Sequence, residues 1–343
     1  TVTSNVVGSH SEQQGRLVTG VGATSVVEYE MNECWTQQWL AMHFDDRLDI
    51  NDFGYLPRNS LNYLHWEVQR RYANLPADSK YASHRWRFRI IGMDDDRGVK
   101  LERQLRIIRQ SQLRDGGEED IQLNLNTPAY DDLLTRGHGV LRKPAIHLID
   151  WVRTSPREGD WAWKRELAAV GSDRVGMRRI GYEVMFEPTY FFSDSLSVFG
   201  GPDYKFLPDW LVWQHDNLIG SFDSHSILLD AGVNWNISGR QELRVKLQAL
   251  GLDARLRGAY RVEPNARAVR TNDPVSDFSV RNLGFQVRYR YELAPLSDLY
   301  VVYARGGYLL DPRYEEAGSQ FGRSFDLRDS EQLLVKLAYR FEL

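Results

Sequence analysis

The sequence of 343 residues is short of three things, and each shortage excludes a class of protein. It has one cysteine, Cys34, which rules out an intramolecular disulfide and a zinc site built from cysteines. Its 43 lysines and arginines are balanced by 47 aspartates and glutamates, whereas a protein that binds nucleic acid usually carries a basic excess. It also has no run of about 18 apolar residues, so membrane-spanning helices are not expected.

Familiar motifs of metal binding and catalysis are missing as well. The eight histidines form no HExxH pattern, and the G-x-S-x-G motif of serine hydrolases does not occur. No glycine-rich loop of the nucleotide-binding type is present. The sequence therefore predicts no cofactor and no bound metal, and it favours a protein that is not an enzyme.

Aromatic residues, in contrast, are plentiful at 12% of the chain, and most of them stand in short alternating runs. Through residues 285–293 and 333–343, apolar side chains alternate with polar ones, and residues 85–90 alternate arginine with aromatic and aliphatic residues. Successive side chains of a strand point to opposite faces. A period of two therefore predicts β-strands that have one apolar and one polar face.

The alternating segments number about fifteen, with lengths of roughly 8 to 17 residues, and they follow one another as hairpins. Short turns alternate with longer loops along the chain, and no helical segment is predicted. Open twisted sheets rarely exceed about ten strands, so a meander of this size is expected to close on itself.

Three closed or layered architectures fit such a meander. A β-propeller is disfavoured because no repeat of blade length is found. A soluble β-sandwich accounts for the alternation but not for the difference between short turns and long loops. In a transmembrane barrel the apolar face meets lipid, the charged face lines the interior, and aromatic residues gather near the membrane boundaries. Aromatic residues flank the turns at 193–194 and 294–297, which favours an all-β, up-and-down antiparallel transmembrane β-barrel of about 14–16 strands.

The C-terminal residues add a second indication of a barrel. Lys336, Ala338, Phe341 and Leu343 stand at the spacing of the targeting strand that ends bacterial outer-membrane barrels, although Leu343 replaces the usual phenylalanine. This predicts insertion by the barrel-assembly machinery. Bacterial single-chain barrels usually have an even number of strands. With fifteen strands counted, we expect a C-terminal fragment in which residues 1–14 are a remnant or linker and residues 15–343 form the barrel. The alternatives are that residues 2–8 supply a weak strand or that the count is wrong by one.

Three ordered motifs resemble one known family. Residues 49–59 match an N-D-hydrophobic-G loop that ends in arginine, and residues 130–137 match a D-D-x-x-x-R-G loop. Residues 289–303 match a hairpin built around P-x-S-x-L. Together they resemble the C-terminal barrel of a Gram-negative outer-membrane family of unknown function whose full-length members carry an N-terminal sandwich similar to family-9 carbohydrate-binding modules.

The resemblance implies a location and a set of partners, but no reaction. It implies the bacterial outer membrane, with contacts to outer-membrane lipid and lipopolysaccharide, and a glycan ligand only through the sandwich that this chain lacks. We therefore expect a pore or a surface anchor related to glycans. A hydrolase acting on glycans or lipids at the barrel rim, and a soluble β-sandwich that binds a ligand, remain the alternatives.

Two groups of residues are candidates for function. The first lies in the long loops, where carboxylates and guanidinium groups indicate either a site for a sugar or a divalent ion or, alternatively, ion pairs that brace the loops; its members are Asp49, Asn51, Asp52, Arg58, Asp131, Asp132 and Arg136. The second is a basic row on adjacent strands, made of Arg85, Arg87, Arg89, Arg103 and Arg106. It predicts either an interior wall that attracts anions or arginines neutralised by Glu67 and Glu102. The acidic turn at 94–98 is expected to be a solvated turn.

Overall fold

The structure, a computed structural model, describes residues 1–13, 15–50, 56, 58–172 and 179–341. Most of the described residues are in antiparallel strands, which confirms the predicted all-β class. The strands are β1 (Val2–Gln13), β2 (Arg16–Asn32), β3 (Trp35–Phe44), β4 (Leu61–Tyr72), β5 (Tyr81–Asp94), β6 (Lys100–Leu113), β7 (Glu118–Asn126), β8 (Ala129–Asp131), β9 (Leu141–Lys143), β10 (Ile146–Thr154), β11 (Trp161–Ser172), β12 (Arg179–Phe191), β13 (Leu196–His215), β14 (Leu218–Ser238), β15 (Gln241–Val262), β16 (Ala268–Thr271), β17 (Phe278–Ala294), β18 (Ser297–Asp311) and β19 (Ser330–Ala338), with one helix, α1 (Ala317–Ser324), between β18 and β19. Within these residues no helix has the length and apolar character needed to cross a membrane.

The long strands form one continuous ladder in chain order. Each pairs antiparallel with the next from β1 to β7, then β7 pairs with β10, and the order continues to β15, β17, β18 and β19. Of the described strands, β16 pairs only with the end of β15, and β8 and β9 pair with each other, so these three are not part of the ladder. Among the described residues, the ladder thus holds sixteen strands in one sheet, and no register joins β1 to β19.

Two expectations about the elements are corrected. Residues 1–14, expected to be a remnant or linker, contain β1, which pairs with β2 along its whole length from Val2 to Gln13. This supplies the strand that the count of fifteen lacked and agrees with the alternative that residues 2–8 form a strand, although β1 extends further, to Gln13. The prediction that no helix forms is wrong, because α1 spans Ala317–Ser324.

The connections differ sharply between the two ends of the sheet. One end, here called the short-turn end, carries the turns at 33–34, 192–195, 239–240 and 295–296. The other end, the long-loop end, carries the segments 45–60, 127–145, 263–277 and 312–329. Both β1 and β19 have their outer chain ends at the short-turn end, since Val2 pairs with Val27 and Ala338 pairs with Asp298.

Residues that pair directly across neighbouring strands share a face, so the register divides the sheet into two faces. One row runs Trp66, Ile90, Leu105 and is apolar; the adjacent row runs Glu67, Arg89, Arg106 and is charged. We call these the apolar face and the polar face. In a water-soluble sheet the charged face would be the exposed one, yet in β4 the polar-face residue Glu67 is 8% exposed and the apolar-face Trp66 is 41% exposed.

The exposed apolar side chains extend from the first strand to the last. Followed through the register, these all lie on the apolar face: Val2, Val6, Val21, Tyr29, Trp39, Leu64, Trp66, Phe88, Ile90, Ile149, Trp161, Leu167, Ile180, Tyr182, Val184, Phe186, Val198, Trp235, Leu333, Val335 and Leu337. A few exposed apolar residues, such as Val7, Leu334 and Leu310, lie on the polar face. The result is a band of exposed hydrophobic residues on eleven of the sixteen ladder strands, namely β1 to β5, β10 to β14 and β19.

Near the long-loop end, part of the apolar face of β14, β15 and β17 is covered by the 312–329 segment. Leu327 packs with Ala249 and Leu283 in a buried cluster that Phe321 also joins. The backbone N–H of Ala317 donates to Asp253 Oδ2 at 2.8 Å, which fixes the start of α1. This apolar cluster is the core that holds the helix against the sheet.

Candidate functional site

Three connections at the long-loop end converge: the described residues next to β3 and β4 (45–48 and 58–60), the β5–β6 turn and the 127–145 segment. The turn is organised by Asp95, which is 2% exposed. Its carboxylate accepts hydrogen bonds from the backbone N–H groups of Arg97 and Val99, at 2.9 and 2.7 Å, and from Arg97 Nε at 2.7 Å. Burial acts to raise the pKa of Asp95, but these hydrogen bonds and the Arg97 charge outweigh burial and hold the pKa below its usual value.

The turn is joined to the two longer segments through Asp132. Arg58 donates from both Nη atoms to the two carboxylate oxygens of Asp132, a fork geometry in which the Nη1–Oδ2 distance is 3.4 Å. Both side chains are only 13% exposed. Arg97 Nη2 lies 3.6 Å from Asp132 Oδ2 and extends the network to the acidic turn. The network ties the ends of β4, β5 and β7 together.

Residues 129–143, which we call the strap, continue from Asp132 to a different part of the sheet. The strap begins and ends in the β8–β9 hairpin, and inside it the Thr135 hydroxyl donates to the carbonyl oxygen of Gly139. Arg136 adopts a left-handed backbone with φ 52° and places its guanidinium carbon 4.3 Å from the ring centre of Trp213 in β13. Leu141 is buried against Ile219 of β14 and Val262 of β15. The strap lies in the connection between β7 and β10. It therefore contacts elements on both sides of that position in the ladder: the β5–β6 turn on one side and strands β13 to β15 on the other.

These contacts join strands that are distant in the ladder. From β4, next to Arg58, to β14 the ladder takes eight steps. Eight strand spacings cover about 38 Å along a sheet. The chain from Asp132 to Leu141 spans at most about 30 Å even when fully extended, and the turn at Arg136 shortens it further. The strap, extended by the long side chains of Arg58 and Arg97, therefore links parts of the sheet that are far apart in the ladder.

A polar cavity of about 400 Å³ lies beside the Arg58–Asp132 pair. Its lining residues are Asp46, Leu48, Leu56, Arg58, Asn59, Ser60, Asp96, Arg97, Asp132 and Leu133. Charged and amide groups of both signs face the cavity, which suits a hydrated or oxygen-rich solute better than an apolar one. Within the described residues, no group of three or more His, Cys, Asp or Glu side chains has the arrangement needed to hold a metal ion.

The structure brings together part of the predicted loop cluster. Arg58 and Asp132 form its centre, while Asp131 caps its own turn by accepting the N–H groups of Leu133 and Leu134, at 3.1 and 2.9 Å. Arg136 lies at the far end of the strap, on Trp213. The backbone N–H of Asp49 donates to Ser9 Oγ at 2.9 Å. Asn51 and Asp52 lie outside the described residues.

Sequence reasoning missed two members of this cluster, Asp95 and Arg97. The turn at 94–98 was expected to be solvated, but Asp95 is buried and Arg97 reaches Asp132. The local signal was an aspartate followed two residues later by arginine and then glycine, which is typical of a turn closed by its own side chain. Nothing in that pattern indicates that another loop covers the turn.

The predicted basic row divides between the two faces. Arg85, Arg87, Arg89 and Arg106 lie on the polar face, and Arg89 Nε donates to Glu67 Oε2 at 2.7 Å. Arg103 pairs across the strands with Gly92 and so lies on the other face, where its Nη2 donates to both carboxylate oxygens of Asp94 at 2.7 Å. The carboxylate of Glu102 accepts from Gln104 Nε2 at 2.9 Å, not from an arginine of the row.

An acidic sector adjoins the basic row on the same polar face. It runs across β7, β10, β11, β12 and β13 and contains Asp120, Asp150, Glu166, Glu183 and Asp203. Lys205 Nζ donates to Glu183 Oε2 at 2.6 Å. The polar face thus has a basic sector followed by an acidic one, so it is not uniformly attractive to anions.

The predicted targeting strand is shorter in the structure than in the sequence pattern. Lys336 and Ala338 belong to β19, where they pair with Tyr300 and Asp298. Phe341 follows the end of β19, is 80% exposed, and makes an edge-to-face contact with Tyr339 at 5.0 Å between ring centres. Leu343 lies outside the described residues.

Comparison with known proteins identifies the family. The family described as "Domain of unknown function (DUF5916)" matches residues 1–341. The chain belongs to the DUF5916 family. No curated protein matches this DUF5916 chain.

Solved structures similar to the DUF5916 chain include forms of OmpT, an outer membrane protein of Vibrio cholerae. The in-vitro folded trimer form is 10% identical, with 93% of this chain and 92% of that chain covered and a TM-score of 0.35. A loop L8 deletion mutant is 11% identical, with 91% and 95% covered and a TM-score of 0.35. The form expressed in the outer membrane is 11% identical, with 84% and 95% covered and a TM-score of 0.33.

Proposed function

We propose that this DUF5916 chain forms a transmembrane β-barrel of the bacterial outer membrane, with its apolar face against lipid and its polar face around a water-filled pore. The observation that carries the proposal is the band of exposed hydrophobic residues opposite a charged face. Soluble monomers rarely expose contiguous apolar patches larger than a few hundred Å². Lipid is the environment in which such a band is stable, because alternation of apolar-out and polar-in residues is the pattern of membrane barrels.

The strand lengths agree with a membrane crossing. A transmembrane strand needs about 9–11 residues, and β4, β11 and β12 have 12, 12 and 13. The strands β14 and β15 have 21 and 22 residues, enough to continue beyond the bilayer at the long-loop end. The helix α1 and the strap would then pack on these extensions, outside the hydrocarbon region.

Closure of the barrel is part of the proposal. Lipid offers no hydrogen bonds to an exposed sheet edge, so every edge in the hydrocarbon region must be paired. The free edges are β1 and β19, and the ladder between them is the sixteen-strand meander. We propose that these two strands pair with each other in the membrane, with insertion by the barrel-assembly machinery and with outer-membrane lipid and lipopolysaccharide against the apolar face.

The charge distribution bears on what such a pore would pass. Basic residues on β5 and β6 and acidic residues on β7 to β13 would present both signs of charge to the interior, so we expect weak ion selectivity. A role as an anchor for a glycan-binding domain is compatible with the same barrel. The cavity beside Asp132 is the place on the described residues where we would look for a bound sugar.

Heat-modifiable migration tests the proposal. After refolding into detergent micelles, the unboiled protein is expected to migrate faster on a gel than the boiled protein, because a closed barrel resists the denaturing detergent until it is heated. Boiling a water-soluble sheet protein would leave its migration unchanged. Identical migration before and after boiling, together with solubility in buffer that contains no detergent, would contradict the proposal.

A further inference from the structure

We propose that Arg153 and Arg165, together with Trp163, bind the phosphate group of an anionic phospholipid where the apolar face meets the short-turn end of the sheet. The site lies on the lipid-facing side of the proposed barrel, so the inference rests on the proposed function. It would select one class of lipid at one place on the barrel wall.

Basic and aromatic side chains occur together at the short-turn end of the apolar face. A row across four neighbouring strands runs Trp35, Arg70, Trp86 and Arg109, each paired directly with the next. The guanidinium carbon of Arg70 lies 4.9 Å from the ring centre of Trp35, and that of Arg109 lies 5.9 Å from the ring centre of Trp86. Tryptophan and arginine suit the boundary between membrane and water, because each has an apolar part and a polar end. We therefore expect lipid headgroups at the level of this row.

Two arginines lie side by side close to this level. The row continues through Ile121 to Trp151 in β10. Two residues nearer the short turn, on the same face, Arg153 pairs directly with Arg165 of β11. The guanidinium carbons of Arg165 and Arg153 lie 3.6 and 5.8 Å from the ring centre of Trp163. Like charges directly opposite each other on neighbouring strands are destabilising, so this pair favours an anion beside it.

The carboxylates of the described residues leave the pair with excess positive charge. Among those residues Arg153 forms an ion pair only with Asp115, at 4.0 Å between Nη2 and Oδ2, and Arg165 forms none. Glu119 lies directly opposite Arg153 on its other side, but its Oε1 accepts from Arg109 Nη2 at 2.6 Å. The positive charge of Arg153 and Arg165 is therefore only partly balanced by the chain.

A comparable arginine pair on the polar face is balanced by the chain itself. Arg244 and Arg288 pair directly across β15 and β17. Both contact Oε1 of Glu242, Arg244 through Nε and Arg288 through Nη2 at 3.6 Å. A phosphate beside Arg153 and Arg165 would supply the negative charge that Glu242 supplies here. Guanidinium groups bind phosphate oxygens through paired N–H donors, which makes phosphate a suitable partner.

Exposed apolar side chains continue from the pair toward the middle of the sheet. Phe186 pairs with Arg165 and is exposed. Two residues further from the short turns, the row is Trp151, Leu167 and Val184, of which Leu167 and Val184 are exposed. A phospholipid would place its phosphate on the arginines and its acyl chains on this surface, whereas a free phosphate ion would use only the arginines.

The position of the pair favours phospholipid over lipopolysaccharide. Short turns of bacterial barrels lie on the periplasmic side, and the longer loops lie on the extracellular side. The arginine pair is next to the short turn at 155–160. The periplasmic leaflet of an outer membrane is made of phospholipid, so an anionic phospholipid is the ligand that we assign to the pair.

Native mass spectrometry of the refolded chain tests the site. After refolding with equal amounts of phosphatidylglycerol and phosphatidylcholine of the same chain length, the wild type should retain mainly phosphatidylglycerol, because the ammonium group of phosphatidylcholine neutralises its own phosphate. Each basic residue near a membrane surface attracts anionic lipid several-fold, so Arg153→Gln/Arg165→Gln should lower the retained ratio of the two lipids on the order of tenfold. If that variant does not fold, Arg165→Gln alone should lower the ratio several-fold.

The matched control is Arg244→Gln/Arg288→Gln, which removes the same charge from the polar face and should leave the ratio unchanged. An equal ratio in the wild type and Arg153→Gln/Arg165→Gln, both heat-modifiable, would overturn the lipid site and leave the barrel intact. An equally large drop in the control would also overturn it. With lipopolysaccharide in place of phosphatidylcholine, a preference for lipopolysaccharide that the Arg153 and Arg165 substitutions abolish would contradict the assignment to phospholipid. Loss of heat-modifiable migration in the wild type would instead refute the barrel itself.

Discussion

Ile90→Arg is expected to destabilise the membrane-inserted protein by about 2–4 kcal/mol, the cost of an arginine on the lipid face near the bilayer midplane. Ile90 is 54% exposed in β5, and in a soluble protein a substitution at so exposed a position usually changes stability by no more than about 0.5 kcal/mol. A lipid-facing and a water-facing position 90 are therefore expected to give clearly different losses of stability. Urea unfolding in lipid vesicles, followed by the loss of the fast-migrating form, measures the effect.

The matched control for this prediction is Gln286→Arg. Gln286 lies in β17 on the polar face, where it pairs with Lys246 and Ala304, and it is exposed. An arginine there meets the water of the interior and adds only the repulsion of Lys246, so the stability in vesicles should fall by less than about 1 kcal/mol. If both variants behaved alike, the assignment of the two faces would be wrong.

Gly251→Ala should detach α1 from the sheet and expose the 312–329 segment to trypsin. A Cβ atom at position 251 would lie far inside van der Waals contact with the backbone of Phe321 and Ala317, so the helix must move. Overpacking of this kind typically costs about 1–3 kcal/mol. Cleavage at Arg313, Arg323 and Arg328 should consequently be about tenfold faster, since each 1.4 kcal/mol of opening free energy is a factor of ten.

Gly284→Ala is the control for the helix. Gly284 is in the neighbouring strand β17, but no atom lies within 4 Å of the position that its Cβ would take. The same substitution should therefore leave the rate of cleavage between β18 and β19 unchanged. Equal protection of the segment in Gly251→Ala and the wild type would show that α1 is not docked at Gly251.

The division of the sheet into two faces was predictable because it is a local property. Phe88 and Ile90 alternate with Arg87 and Arg89 in the sequence, and a strand turns that alternation directly into opposite faces. Hairpin connections then place each strand beside the next. The overall composition does not show this pattern. Percentages of charged and apolar residues average over both faces of each strand, so they mix the apolar-face residues with the charged ones.

The elements that were missed depend on contacts distant in sequence. The first strand has apolar side chains on its apolar face only at Val2 and Val6, and its pairing with β2 defines it. The helix α1 is eight residues long and contains two glycines, which are poor helix formers. It is stabilised by the cluster around Leu327 and by the hydrogen bond to Asp253.

The candidate site was predictable in its chemistry but not in its extent. Arg58 and Asp132 were expected in one cluster of carboxylates and guanidinium groups, and the structure pairs them. The burial of Asp95 depends on loops that fold over its turn, and the position of Arg136 depends on Trp213, 77 residues later in the chain. No spacing within either loop encodes those contacts.

Lipid accessibility measured residue by residue along β12 tests most directly the claim that the apolar face contacts lipid and the polar face contacts water. In a Cys34→Ser background, single cysteines at positions 182 to 187 would each carry a fluorophore in protein refolded into vesicles. The apolar-face positions Tyr182, Val184 and Phe186 should be quenched by a nitroxide in the lipid tails, and Glu183, Met185 and Glu187 by a water-soluble quencher. The account predicts this strict alternation; equal quenching of all six positions by the aqueous agent would contradict it.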